Sequence, residues 1–442
     1  MRTRTLAIVV VLASLPRTAH AGGIEIDEQS ARATGTAGAQ TAVANDPSAI
    51  FYNPAGLVNQ PGFNALVGGS LITTYTRATT GDPPTLPVTT STIATHTALL
   101  PTLFLSQRLG RHLALGAGLY TQWGEHFGWP TNWPGRFIGQ FIDVTTATFD
   151  FSISIRLLPF LSIGGGLDVV PGAVDLYRAV NFGAAEGSLH AGLSGVGVGG
   201  NVGFLVDVVP RRLQLGFMYR SRVDLDLTGH GVVSAPVELQ ALAGGRQLAK
   251  TTLVLPHTLA VGLAIDPVRV LTLSADLRVT LWRDLQMLTL TLTDPAAPAG
   301  TPSQSQSLAL SLHNSWALRF GGELRLVGGH LHLRLGIGYD ATPLPDETLG
   351  PLLPDTPRVE AAAGIGWHEH WIALDAGYMA VVLFKDESKS PHLHASFASN
   401  GHVVSLSATV RFGAVGRRVR HEEPPEELPE LEAEPPPRHT WE

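Results

Sequence analysis

The chain has 442 residues, a charged fraction of 15%, a formal net charge of -7, 48 glycines and no cysteine. The acidic balance excludes a nucleic-acid binder, which needs a basic surface to displace counterions, and the missing thiols exclude disulfides and thiolate metal sites. Charge well below the average of about 25%, together with abundant glycine, suits a sheet protein with an apolar exterior.

Residues 1–21 read as a secretory signal. Arg2 and Arg4 give a positive start, "LAIVVVLASL" is a short apolar core, and Ala19 and Ala21 place small residues at the cleavage-determining positions. Gly22 is then the first mature residue. No later stretch holds the roughly 18 unbroken apolar residues of a membrane helix.

Residues 22–62 are too many for a stub and too turn-rich for a strand. The small-residue run "ARATGTAGAQTAVA" precedes "NDPS", with Asn45, Asp46 and Pro47, and "YNPAG", with Asn53, Pro54 and Ala55. Asparagine and proline in these pairs are turn chemistry. Small residues pack closely against a wall, so the segment is expected to fold back as a hatch inside whatever follows.

From residue 63 onward the pattern has period two. "FDFSISIRL" sets Phe149, Phe151, Ile153, Ile155 and Leu157 against Asp150, Ser152, Ser154 and Arg156; "LTLSADLRVTL" behaves alike. Alternation over nine to eleven residues is the span a tilted strand needs to cross a bilayer. Fourteen such strands are expected near 63–76, 95–109, 112–123, 145–158, 161–178, 188–208, 213–228, 248–265, 268–283, 308–326, 331–341, 358–367, 371–385 and 402–412. Short turns such as "LGRH" and "IDPVR" alternate with long loops such as "EHFGWPTNWPGRFIGQFID", as in outer-membrane barrels. The fold class expected is therefore all-β: a 14-stranded antiparallel transmembrane β-barrel, residues 63–413, plugged by the N-terminal hatch. Charges within the strands, among them Asp150, Arg156, Asp276, Arg278, Arg334 and Asp375, are expected in the lumen, because a lipid-facing arginine at mid-depth costs roughly 2–4 kcal/mol.

Third-strand glycines Gly116, Gly118 and Gly124, with Tyr120, allow a bulge or interruption of the wall there; the plain alternative is a strand end running into a loop. The loop that follows carries Phe127, Trp129, Trp133, Phe137 and Phe141, either an interfacial girdle or an exposed collection point for apolar substrate. Arg156, Arg220 and Arg222, with Asp276 and Arg278, are the polar candidates expected in the lumen; these arginines and Arg136 each either meet a substrate headgroup or pair with a neighbouring carboxylate such as Asp150, Asp224 or Asp226. "GVGVGG" lies inside a strand with no helix after it, so it is no dinucleotide loop. The "HEH" and "HLH" clusters lack further ligands, and no enzyme, cofactor or metal is expected. Residues 414–442, acidic and proline-rich, read as a disordered periplasmic tail.

The sequence resembles the FadL/TodX-like outer-membrane transporters, an OmpP1-like family, from Gly22 to Phe412. The strings carrying the resemblance are "GTAGAQTAVANDPSAIFYNPAGL", "YRSRVDLDLTGHG", "LPHTLAVGLAIDP", "YDATPLPDETLGPLLPDTPR", "LDAGYMAVVLFKD" and "GHVVSLSATVRF". Asn53, Pro54 and Ala55 match the NPA motif of that family's hatch. The resemblance implies a bacterial outer-membrane passive transporter of long-chain fatty acids or other hydrophobic compounds, with a lateral opening at strand 3. It also implies a single-chain barrel whose partners are hydrophobic small molecules such as fatty acids and hydrocarbons, outer-membrane lipid and the barrel-assembly machinery. A general aqueous porin and a non-transport surface or secretion scaffold are the competing readings.

Overall fold

The computed structural model describes residues 23–413 apart from 82–87, 94, 184, 211, 240–244, 296–302 and 391–392. The expected signal and tail therefore lie outside the described residues.

Fourteen antiparallel strands make the wall. They are β1 (Phe63–Thr80), β2 (His96–Leu109), β3 (Leu113–Tyr120), β4 (Thr148–Leu158), β5 (Leu161–Asn181), β6 (Glu186–Val209) and β7 (Leu213–Arg220). The second half is β8 (Thr258–Val268), β9 (Leu271–Thr280), β10 (Ser315–Leu326), β11 (Leu331–Asp340), β12 (Arg358–His368), β13 (Ile372–Leu383) and β14 (Ala395–Phe412). Each pairs with its sequence neighbour, and β1 pairs with β14 from Phe63↔Phe412 to Thr80↔Ala395, which closes the cylinder. Closure is what hydrocarbon demands, since an unpaired backbone group there costs several kcal/mol.

Alternation decides which face is which. On β4, Phe151 is 58% exposed while Asp150 is fully buried, so the apolar set faces lipid and the polar set faces the lumen. Trp367, Trp371, Phe160 and Phe412 stand exposed at the short-turn rim, the aromatic girdle of such barrels.

Above the wall the strands expected as continuous are interrupted. The outer segment Val223–Ser234 pairs with Gly245–Leu255, and Met287–Thr293 pairs with Gln304–Ala309. The breaks fall at Ser221–Arg222, at Pro256–His257, at the 3-10 turn Trp282–Asp284 and at 310–314. Proline at the second break has no N–H for a ladder. The face changes across the first break: Met218 and Arg220 are buried below it, whereas Val223, Leu225 and Leu227 are buried above it.

Residues 23–62 fill the lumen. Two helical turns, Ala31–Thr34 and Ala49–Tyr52, and a 3-10 turn, Pro54–Asn59, are buried throughout but for half-buried Asn59. Ser30 caps the first by accepting from the Ala33 amide at 3.3 Å. The wall makes room with glycine. A Cβ on Gly336 would stand 2.4 Å from the Thr36 carbonyl carbon, and one on Gly216 would stand 2.2 Å from the Thr41 carbonyl oxygen. The glycine-rich composition is thus the complement of a backbone pressed against the inner wall.

Candidate functional site: hatch, wall gap and upper lumen

The hatch residues singled out in the sequence are fastening points. Asn53 caps the 3-10 turn by accepting from the Ala55 amide at 3.2 Å, and its amide nitrogen donates to the carbonyls of Thr41 at 2.9 Å and Phe204 at 3.0 Å. Pro54 opens that turn, where no amide is needed, and the Ala55 carbonyl accepts from the Ser154 hydroxyl at 3.0 Å. Asn45 and Asp46 both accept from Arg32, Asp46 at 3.2 Å. Asp46 also accepts from the Ser48 amide at 2.9 Å, and the Pro47 carbonyl accepts from Ile50 at 3.3 Å.

The lumen charges are committed to this fastening. Asp276 accepts from the Thr41 amide at 2.7 Å. Arg278 pairs with Glu25 at 3.2 Å and with Asp27. Arg319 reaches Asp27 at 2.7 Å and Asp340 at 2.9 Å. At the opposite end, Glu323 lies between hatch Arg32 at 2.9 Å and wall Arg334 at 2.7 Å, and Arg334 continues to Asp375 at 2.7 Å. Arg220 is buried beside Asp168 at 2.5 Å, with Asp150 at 3.5 Å, and Arg156 donates to Asn59. These arginines take the carboxylate- or hatch-pairing alternative rather than standing free for a headgroup. Arg136, in the loop after the third strand, pairs with Glu186 at the start of β6.

Arg222 is a correction. It is exposed on the outer face with Asp224 at 2.7 Å, and Asp226 is exposed beside it. Arg222 lies outside the lumen because the inward-facing set reverses across the Ser221–Arg222 break, from Met218 and Arg220 to Val223, Leu225 and Leu227.

The third strand leaves the wall after Tyr120, whose hydroxyl donates to Asp150 at 3.1 Å. Its pairing with β2 ends at Leu103↔Leu119. The chain then turns to the hatch: the Ile26 amide donates to the Gln122 carbonyl at 2.7 Å, and the Gly124 amide donates to the Ile24 carbonyl at 3.1 Å. Beyond this, Gly124–Gly128 pairs with Phe141–Thr146. Among the described residues, the edge of His96–Thr102 facing away from β1 has no strand partner, which leaves a gap in the cylinder. Pro101 stands on that edge, where a missing amide is tolerated. Stacked rings of His96 and His126, 3.7 Å apart, cross the gap. Gly116 and Gly118 do not form it. They sit in regular pairing and face the hatch, where a Cβ on Gly116 would be 2.8 Å from Leu57 and one on Gly118 would be 3.0 Å from Ile50.

The loop aromatics form a packed cap rather than an exposed patch. Trp129 and Trp133 stack at 4.4 Å, Phe397 meets Trp129 edge-on at 6.1 Å, and both indoles donate to carbonyls, of Pro351 at 3.0 Å and Gly139 at 3.1 Å. Phe127 is buried with them. Phe137, beneath the Arg136 guanidinium at 4.6 Å, and Phe141, edge-on to His126 at 5.3 Å, are half-buried. Burial in a shared cluster removes more apolar area from water than isolated exposure would leave, which favours the packed arrangement.

Between cap and hatch lies an apolar upper lumen. The inward residues of the outer segments, Leu225, Leu227, Leu253 and Leu292, join Trp123 and Trp282 in one cluster, with hatch Ile24 packed against it. At its edge the Gly23 amide donates to Asp355 at 2.9 Å, in the loop after β11. Burial pushes the Asp355 carboxyl up to about 6, against the opposing pull of Arg358. Sequence reasoning missed Trp282, His96 and the Glu25–Asp27 acids. Pro101 inside an otherwise strand-like run was a sign of the gap beside the third-strand glycines.

A closed 14-stranded barrel with an internal plug, a breached wall and an apolar upper lumen defines a class: outer-membrane transport barrels. The chain belongs to the outer membrane protein transport family OMPP1/FadL/TodX, whose family model matches residues 11–412. It is similar in structure to a Pseudomonas aeruginosa FadL homologue, at a TM-score of 0.79 and 22% identity, over 88% of this chain and 100% of that one. It is also similar to the Ralstonia pickettii toluene transporter TbuX, at a TM-score of 0.67 and 18% identity, over 88% and 99%. A putative outer membrane protein of Neisseria meningitidis serogroup B is 32% identical over 111 residues; the match spans 24% of this chain and 24% of that protein. The protein is a bacterial outer-membrane β-barrel of a family that transports hydrophobic compounds.

Proposed function

We propose that this barrel passes hydrophobic compounds, long-chain fatty acids or hydrocarbons among them, passively through the wall rather than down the bore. A compound passes the outer loops, enters the upper lumen beneath the packed aromatic cap and against the hatch, and leaves sideways between β2 and the diverted third strand. The observation that carries this reading is the hydrogen bonding of Gln122 and Gly124 to hatch residues Ile26 and Ile24, because movement of the hatch start then moves the edge of the gap. Apolar burial supplies the affinity: at about 0.8 kcal/mol per methylene, a fourteen-carbon chain gains on the order of 10 kcal/mol before binding costs. The gap itself is the test. The chain has no cysteine, so His96→Cys with His126→Cys introduces one lockable pair across it. Uptake of a labelled hydrophobe is expected to fall in the oxidised, cross-linked protein and to return on reduction. Full uptake through a completely cross-linked wall would overturn the lateral route.

A further inference from the structure

Trp282 begins the 3-10 turn that ends β9, and it is 1% exposed at the foot of the apolar cluster. Its ring meets Trp123 edge-on at 5.6 Å, and hatch Gly23 lies against it so closely that a Cβ there would be 2.6 Å from the indole. Yet among the described residues its indole N–H has no acceptor. Trp129 and Trp133, equally buried, both donate to backbone carbonyls. A buried donor left unsatisfied costs about 1–3 kcal/mol, so an orphan in the middle of an apolar cluster is a place where an acceptor from outside gains most.

The surrounding charges say which acceptor fits. Arg278, on the strand that ends just before Trp282, and its neighbours Arg319 and Arg358 face five carboxylates, Glu25, Asp27, Glu28, Asp340 and Glu360. Asp355 adds a sixth acid beside Gly23. An anionic headgroup would enter a site whose cations are already paired and whose excess charge is negative. A neutral oxygen meets no such repulsion.

We propose that the upper lumen selects neutral hydrophobes carrying one acceptor oxygen, such as a ketone, aldehyde or ester, with the Trp282 indole N–H as the donor that seats it. This rests on the transport reading above and narrows its substrate class. Against a transfer energy that grows with every methylene, one hydrogen bond adds little total affinity. It discriminates between compounds of equal length.

The test is competitive retention. Protein in lipid nanodiscs is equilibrated with equal amounts of undecane, 2-undecanone and undecanoate at pH 8, and the retained compounds are extracted and quantified against empty nanodiscs. The wild type is expected to favour 2-undecanone over undecane by about 3- to 10-fold, the size of one neutral hydrogen bond. Trp282→Phe, which keeps an aromatic ring and removes the N–H, is expected to bring that ratio to near one. An unchanged ratio in Trp282→Phe, preferred retention of undecanoate, or equal loss of every compound would overturn the assignment while leaving transport standing. Retention of none of the three by the wild type would overturn the transport reading and this inference together.

Discussion

Asn53 makes three hydrogen bonds from one side chain, two of them to carbonyls on different parts of the molecule. Asn53→Ala leaves the Thr41 and Phe204 carbonyls and the Ala55 amide without these partners, a loss of about 1–3 kcal/mol. The barrel ladder is untouched, so heat-modifiable migration on a gel should stay normal while limited proteolysis within residues 23–62 rises. Asp355 gives a pH-dependent counterpart. Burial pushes its carboxyl up from the ordinary 3.8 to about 6, so the folded protein disfavours its ionisation. The penalty is absent below the ordinary value, grows as pH rises towards 6, and is complete above it, at most about 3 kcal/mol. Asp355→Asn keeps an acceptor for Gly23 and removes the charge. Its melting temperature should exceed that of the wild type at pH 8, and the difference should vanish near pH 4.

At the scale of elements, the hatch is held at both ends by ion pairs that no local pattern announces. Glu323 bonds Arg32 and Arg334 together, and Arg32 lies 291 residues away in sequence. Removing one member of such a buried set exposes the others to uncompensated burial, at a cost of about 3–5 kcal/mol. Glu323→Gln should therefore loosen the hatch more than Asn53→Ala does, read as faster hydrogen exchange of residues 31–46 in an otherwise protected barrel. The same scale separates what the sequence could and could not tell. Strand identity was readable because alternation such as Phe149 to Leu157 is local and has a fixed period. The facing of Arg222 was not, because the reversal at Ser221–Arg222 depends on how two outer segments pair. The gap was half readable: glycines pointed to the third strand, but Gly116 and Gly118 answer to the hatch, and the true break follows Tyr120. The roles of Arg220 and Arg278 were undecided in sequence because their partners, Asp168 and Glu25, are fixed only when the wall closes around the plug.

For the whole molecule, lumen and plug have one explanation. Fourteen strands enclose more room than their own side chains fill, inward glycines let the hatch backbone reach the wall, and buried ion pairs fix it there. The central claim is that residues 23–62 stop an otherwise open bore. Its most direct measurement is ion conductance in planar bilayers of the purified wild type beside a barrel lacking those residues. The wild type is expected to be closed at baseline and the deletion variant to conduct steadily, both migrating as folded barrels. A wild type that conducts as freely as the variant would contradict it.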